Sequence, residues 1–157
     1  MSITISSAFD AGNIRVVKQS GTTAELEIVT DHMSDFYQWF HFRLAGAAGR
    51  EVTLKITNCG GAAYPGGWPD YKACVSIDRE DWTRVDGTSY ADGTLSIQFT
   101  PEADIVWLGG FVMPTPCDVL IVGGGIAGSS LATALARDGS NVVPPPWSML
   151  FTTCVVT

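Results

Sequence analysis

Few side chains in this chain of 157 residues are spaced so that they could do chemistry. The clearest group is Gly123-Gly124-Gly125-Ile126-Ala127-Gly128, a G-x-G-x-x-G match at Gly123, Gly125 and Gly128. Glycines at that spacing let a strand turn sharply into a helix. They also let a pyrophosphate approach the backbone, where the helix N-terminus offers free N–H groups. Zinc hydrolysis would need three protein ligands beside a carboxylate base. The two histidines, His32 and His41, do not cluster with Cys59, Cys74, Cys117 and Cys154, and the cysteines form no CxxC pair. The thiols therefore read as buried and reduced in a cytosolic protein. His41 reads as a surface or interface histidine, and Asp35, Asp78 and Asp81 read as turn and cap residues rather than an acid/base pair.

The elements that would position these groups alternate with period two. In Phe36–Leu44 the even positions Phe36, Phe40, Phe42 and Leu44 face one way, and Tyr37, Trp39, His41 and Arg43 the other. That pattern predicts a strand with one core face and one amphipathic face. Glu51–Thr57 repeats it with Val52, Leu54 and Ile56 inward. Gly46–Arg50 supplies a short turn, so a hairpin is expected between the two. Further strands are expected at Ile3–Ile5, Ile14–Lys18, Ala24–Val29, Lys72–Asp78, Thr94–Phe99 and Asp104–Trp107, with turns at Asp86-Gly87 and Asp92-Gly93. No helical period precedes residue 124. Short strands at regular spacing imply a mainly β, antiparallel two-sheet sandwich of jelly-roll type. The Gly- and Pro-rich loop Asn58–Tyr71 carries Tyr64, Trp68 and Tyr71, and is expected to plug one end of the sandwich.

Composition bounds the partners. A hydrophobic fraction of 46% argues against disorder. A net charge of −7 with nine scattered Lys and Arg gives no basic stripe for nucleic acid. The start, MSITISSAFDAG, lacks the basic and apolar regions of a signal peptide. The apolar run Val119–Val122 is far short of the ~20 residues that cross a bilayer. A cytoplasmic location is expected.

The runs FYQWFHFRLAG, TNCGGAAYPGGWPDYKACVSIDREDWTRV and TSYADGTLSIQFTPEADIVW resemble the N-terminal β-sandwich domain of cytosolic-type zinc carboxypeptidases over residues 3–107. The aromatic strand, the Tyr-Pro-Gly-Gly-Trp loop and Ser76, Asp78 and Trp82 occur in the family's order. The resemblance implies a folding and positioning module placed before a catalytic domain. In such families that domain supplies an HxxE zinc pair, a further His, substrate-binding Arg residues and a base Glu, and removes C-terminal residues, often glutamates. Neither His32 nor His41 belongs to an HxxE sequence, so zinc is expected only in the catalytic domain of the resembled family. After Trp107 the sequence Leu108–Pro114 departs from the family's pattern.

Cys117–Gly139 resembles the N-terminal FAD-binding segment of flavoprotein monooxygenases. The resemblance implies a strand at Asp118–Val122, a pyrophosphate turn at Gly123, Gly125 and Gly128, and a helix over Ser129–Arg137. The acidic residue expected after a second strand is replaced by Pro144-Pro145-Pro146, and prolines cannot sustain a central strand. A dinucleotide-binding domain of ordinary size needs roughly 100 residues or more, and about 40 follow Cys117.

The chain thus reads as residues 1–107, a sandwich; 108–116, a linker; 117–139, one incomplete βα Rossmann unit; and 140–157, an irregular tail, as in a rearranged reading frame. The expected role is a non-catalytic accessory module. FAD binding at the glycine turn is one alternative. The other is a protein-interaction or self-association surface made of Tyr37, Trp39, His41, Tyr64 and Trp68.

Overall fold

The period-two alternation becomes ten short strands in the first of two units, residues 1–112 and 113–157, of a computed structural model that describes residues 2–109, 119–121, 142–143 and 154–156. The strands of the first unit are β1 (Thr4–Ser6), β2 (Arg15–Ser20), β3 (Thr23–Glu27), β4 (His41–Ala45), β5 (Val52–Ile56), β6 (Cys74–Ser76), β7 (Thr83–Arg84), β8 (Thr88–Ala91), β9 (Thr94–Phe99) and β10 (Ile105–Gly109). They form two five-stranded sheets, ordered β1-β4-β10-β6-β7 and β2-β3-β5-β9-β8. Phe42 and Leu44 of β4, with Val106 and Leu108 of β10, meet Leu26, Leu54, Ile56, Leu95 and Ile97 of the second sheet in one buried cluster. Each such side chain contributes about 1.5–3 kcal/mol through burial. The mainly β, two-sheet expectation holds for this unit.

The hairpin expected between Phe36–Leu44 and Glu51–Thr57 does not form. β4 belongs to the first sheet and β5 to the second, so the two never pair. Gly46 (φ 78°) and Gly49 (φ 66°) take left-handed conformations in the connection that carries the chain across the sandwich. Both strands still face the core, because alternation fixes which face is buried and not which sheet a strand joins. A second correction concerns strand direction. β3 pairs parallel to β5, with Ala24 opposite Leu54, so the second sheet is mixed rather than wholly antiparallel. The path from β3 to β5 passes through the other sheet, which brings the chain back in the same direction.

Strand β4 starts at His41, five residues later than the alternation implied. Phe40, Phe42 and Leu44 are fully buried as expected, whereas Phe36 is 67% exposed. The β8–β9 hairpin follows its sequence signal. Ala91 opposes Thr94, and Asp92 (φ 49°) and Gly93 (φ 78°) form the two-residue turn.

In the second unit, β11 (Val119–Ile121), β12 (Val142–Val143) and β13 (Cys154–Val156) form a sheet in the order β11-β13-β12. Both pairings are antiparallel. This corrects the Rossmann reading of the strand, since a dinucleotide-binding βα unit sets its strand against a parallel neighbour. Residues 140–157 also hold two strands where an irregular tail was expected. Val142-Val143 and Val155-Val156 are β-branched pairs that favour extended backbone. The glycine turn at Gly123, Gly125 and Gly128 and the helix expected over Ser129–Arg137 lie outside the described residues.

Candidate functional site

Two regions of the first unit bring together the side chains singled out by sequence. One is the end of the sandwich built from residues 31–40 and 58–71. Asn58 acts there as a substitute strand: its Oδ1 accepts from the Ile28 N–H at 3.0 Å and its Nδ2 donates to the Ile28 carbonyl at 2.9 Å. The Tyr37 hydroxyl donates to the Asn58 carbonyl at 2.8 Å. Its ring end lies against Gly61, where a Cβ would sit 2.5 Å from the hydroxyl oxygen, so a larger residue there would push the hydroxyl off the Asn58 carbonyl. Burial pushes the Tyr37 hydroxyl above its ordinary pKa, with Cys59 and then Glu27 adding to the effect. Gln38 and Tyr64 bind reciprocally, the Tyr64 N–H to Gln38 Oε1 at 2.7 Å and Gln38 Nε2 to the Tyr64 carbonyl at 3.2 Å.

This end therefore has fixed geometry and an apolar surface. Met33 (93%), Phe36 (67%) and Tyr64 (47%) are exposed there. Met33 sits in a left-handed conformation (φ 58°), in a turn closed by the Asp31 N–H donating to the Phe36 carbonyl. Trp68 corrects the expected interaction surface. It is buried, edge-to-face with Tyr71 at 5.2 Å, and plugs the sandwich end instead of presenting itself to a partner. Its Nε1 has no hydrogen-bond partner. Burial raises the Tyr71 hydroxyl strongly.

The other region is the outer face of the first sheet. Cα partners on neighbouring antiparallel strands share a face. His41 lies opposite Gly109 and Gly109 opposite Cys74, while Arg43 lies opposite Trp107 and Trp107 opposite Ser76. Two turns fold over this face. In the Ser7–Asn13 turn, Gly12 is required because a Cβ would collide with the Ser7 carbonyl. Asn13 then ties the turn down, its Nδ2 donating to the Trp39 carbonyl at 3.0 Å and its backbone bridging His41. In the Ser76–Trp82 turn, Asp78 Oδ1 accepts from the Ser76 hydroxyl and from the Glu80 and Asp81 N–H groups, each at 2.9 Å. The Glu80 N–H first, then the Asp81 N–H and the Ser76 hydroxyl, hold the Asp78 carboxyl below its ordinary pKa. Asp78 is thus a turn staple, as expected, and its accepting oxygen is already engaged.

His41 is half-buried between these turns rather than on an open surface. Phe9 stands edge-on to it at 5.0 Å and Trp82 at 5.8 Å. Burial, reinforced by the Arg79 guanidinium, lowers the imidazole pKa, and a hydrogen bond with the Ala11 carbonyl partly opposes this. Trp39 and Tyr37 are half-buried and His32 is exposed. Phe9, Asn13 and Arg79 were not singled out by sequence. The signal for Phe9 was a lone aromatic inside the polar turn Ser6–Asn13.

Among the described residues, no group of three His, Cys, Asp or Glu side chains could hold a metal ion. Cys59 and Cys74 are buried free thiols, and burial pushes Cys59 up to about 12. No helix of the described residues is long and apolar enough to cross a membrane.

Residues 5–111 match the family model of the cytosolic carboxypeptidase N-terminal domain. An uncharacterized protein of Zymomonas mobilis is 48% identical over 111 residues, which make up 71% of this chain and 29% of that protein. A metallo-carboxypeptidase from Burkholderia cenocepacia superposes with a TM-score of 0.67 at 34% identity, covering 92% of this chain and 36% of its own. A metallo-carboxypeptidase from Pseudomonas aeruginosa, solved in complex with (2-guanidinoethylmercapto)succinic acid, gives 0.66 at 30% identity, over 86% of this chain and 34% of its own. The chain spans about a third of the length of these relatives.

Proposed function

Because the chain belongs to the cytosolic carboxypeptidase N-terminal domain family, we propose that its sandwich is a non-catalytic positioning module for a zinc carboxypeptidase domain. The observation that carries this reading is the match of residues 5–111 to that family, combined with side chains already committed to internal bonds. Asn58, Gln38, Ser76 and Asp78, the polar groups nearest the two candidate regions, hold turns and strands together. Among the described residues no His, Cys, Asp and Glu group gathers the donors a zinc hydrolase requires; His41 Nε2 is buried beside rings and His32 is exposed.

The docking surface in this reading is the fixed aromatic end, with Phe36 and Tyr64 as anchors and Met33 beside them. Gly109 of strand β10 lies opposite His41, the residue at which β4 begins. Exposed aromatic anchors on a rigid support are the residues that dominate interface energetics. The same reading places the chain in the cytoplasm, in keeping with the buried free thiols Cys59 and Cys74.

Binding to the part of the Zymomonas mobilis relative that lies outside the match tests the proposal. The full chain should bind it, and Phe36→Asp with Tyr64→Asp should weaken binding about 100-fold, as expected for two anchors. Equal binding by the double variant would remove the aromatic end from the account.

A further inference from the structure

The positioning role makes no use of the titratable ring enclosed on the outer face of the first sheet. His41 Nε2 is buried and has no hydrogen-bond partner. The Ala11 carbonyl bonds the ring, and with Nε2 unpartnered that bond falls to Nδ1. A carbonyl can only accept, so the neutral ring carries its proton on Nδ1 and presents a lone pair at Nε2. The Phe9 and Trp82 rings stand against it and offer no acceptor.

The charged surroundings are uneven. The Ser76–Trp82 turn brings Arg79, whose guanidinium lies 5.6 Å from the Phe9 ring centroid, together with Asp78, Glu80 and Asp81. Asp78 Oδ1 is committed within the turn, while Glu80 and Asp81 are exposed. The Ser7–Asn13 turn brings the exposed Asp10, and β4 itself brings the exposed Arg43. Gly109, opposite His41 on β10, brings no charge. Of these groups Arg79 acts on the imidazole, and it disfavours a second cation.

We propose that His41 is the trigger of an acid-sensitive latch, in which protonation at Nε2 lifts the Phe9 and Trp82 rings and frees their turns from the outer face of the first sheet. A new N–H at Nε2 has no acceptor under the rings, and leaving such a donor buried is costlier than opening it to water. The turns can move as units because each is bonded internally. The Gly12 N–H donates to the Phe9 carbonyl at 2.9 Å, and Trp82 Nε1 donates to the Arg79 carbonyl at 3.2 Å. Asn13, bonded to Trp39 and His41, stays on β4 and anchors the C-terminal end of its turn, so the part that swings is Ser7–Gly12. Opening exposes Trp82, Phe9 and the Trp107 side of the sheet as a new apolar surface at acid pH.

NMR titration of the full chain from about pH 8 to about pH 5 tests the latch, with His41 ring signals and the Trp82 indole N–H followed in one sample. Both should change with a common midpoint below the ordinary histidine range, and indole exchange should quicken about tenfold beyond the intrinsic pH effect. His41→Phe should abolish the Trp82 transition, and His32→Phe should leave it intact. A Trp82 signal that stays flat while His41 titrates overturns the proposal. So does a Trp82 transition that survives in His41→Phe. Should His41→Phe fail to fold, the coincidence of the two midpoints in the unaltered chain decides alone.

Discussion

The space between the sheets and the outer face of the first sheet are built from the same strands, β4 and β10, by alternate residues. Inward, Phe42, Leu44, Val106 and Leu108 meet only apolar partners and are buried to 2% exposure or less. Outward, His41, Arg43 and Trp107 stand among Cys74, Ser76 and two capping turns. One face depends on volume and the other on hydrogen-bond accounting and charge. Interior changes should therefore alter stability at every pH, whereas changes around His41 should alter how stability varies with pH.

The largest effect expected from breaking this contrast is Leu54→Ala. Leu54 is fully buried, and the cavity should cost about 2–5 kcal/mol in urea unfolding, equally at neutral and mildly acid pH. A pH-dependent loss there would blur the distinction between the faces. Asn58→Ala comes next. It strips both bonds from Ile28 and should cost about 1–3 kcal/mol by the same measurement.

The acid sensitivity of His41 sharpens the comparison. Its folded-state pKa lies below the ordinary value of 6.5, so at pH values between the two the unfolded chain binds more protons. This contribution to stability is complete above about pH 6.5, declines as pH falls through that value, and is lost below the folded-state pKa. Unfolding midpoints measured across this window should fall with pH in the unaltered chain and stay flatter in His41→Phe. Smallest of all should be Glu27→Gln. The ion pair joins Arg15 of edge strand β2, 66% exposed, to Glu27 of β3, 28% exposed, and its loss should change stability by less than about 1 kcal/mol.

How much of this was legible depends on the range of the interaction. Thr94–Phe99 was read to the residue, and Val52, Leu54 and Ile56 were read inward, because alternation is a local signal. Sheet membership is not local. Nothing in Gly46–Arg50 distinguishes a hairpin from a crossing between layers. Phe36 was placed inward by extending the alternation past the point where the Asn13 backbone bridges His41 and the regular ladder of β4 begins. Strands β7 and β8 are too short to show a period. The Phe9–His41–Trp82 assembly joins three distant segments, and Trp68 looks the same in sequence whether it plugs the sandwich or faces a partner. The resemblance over residues 3–107 was the most durable reading, matched by the family model over 5–111. The glycine motif was the most specific local pattern, yet its strand pairs antiparallel.

The central claim is that the sandwich positions and does not cleave. Incubating the full chain with added zinc and C-terminally glutamylated peptides, and following the release of amino acids, addresses it most directly. The expected result is no release above the zinc-only control. Zinc-dependent release that disappears on chelation and returns on re-addition would contradict the account.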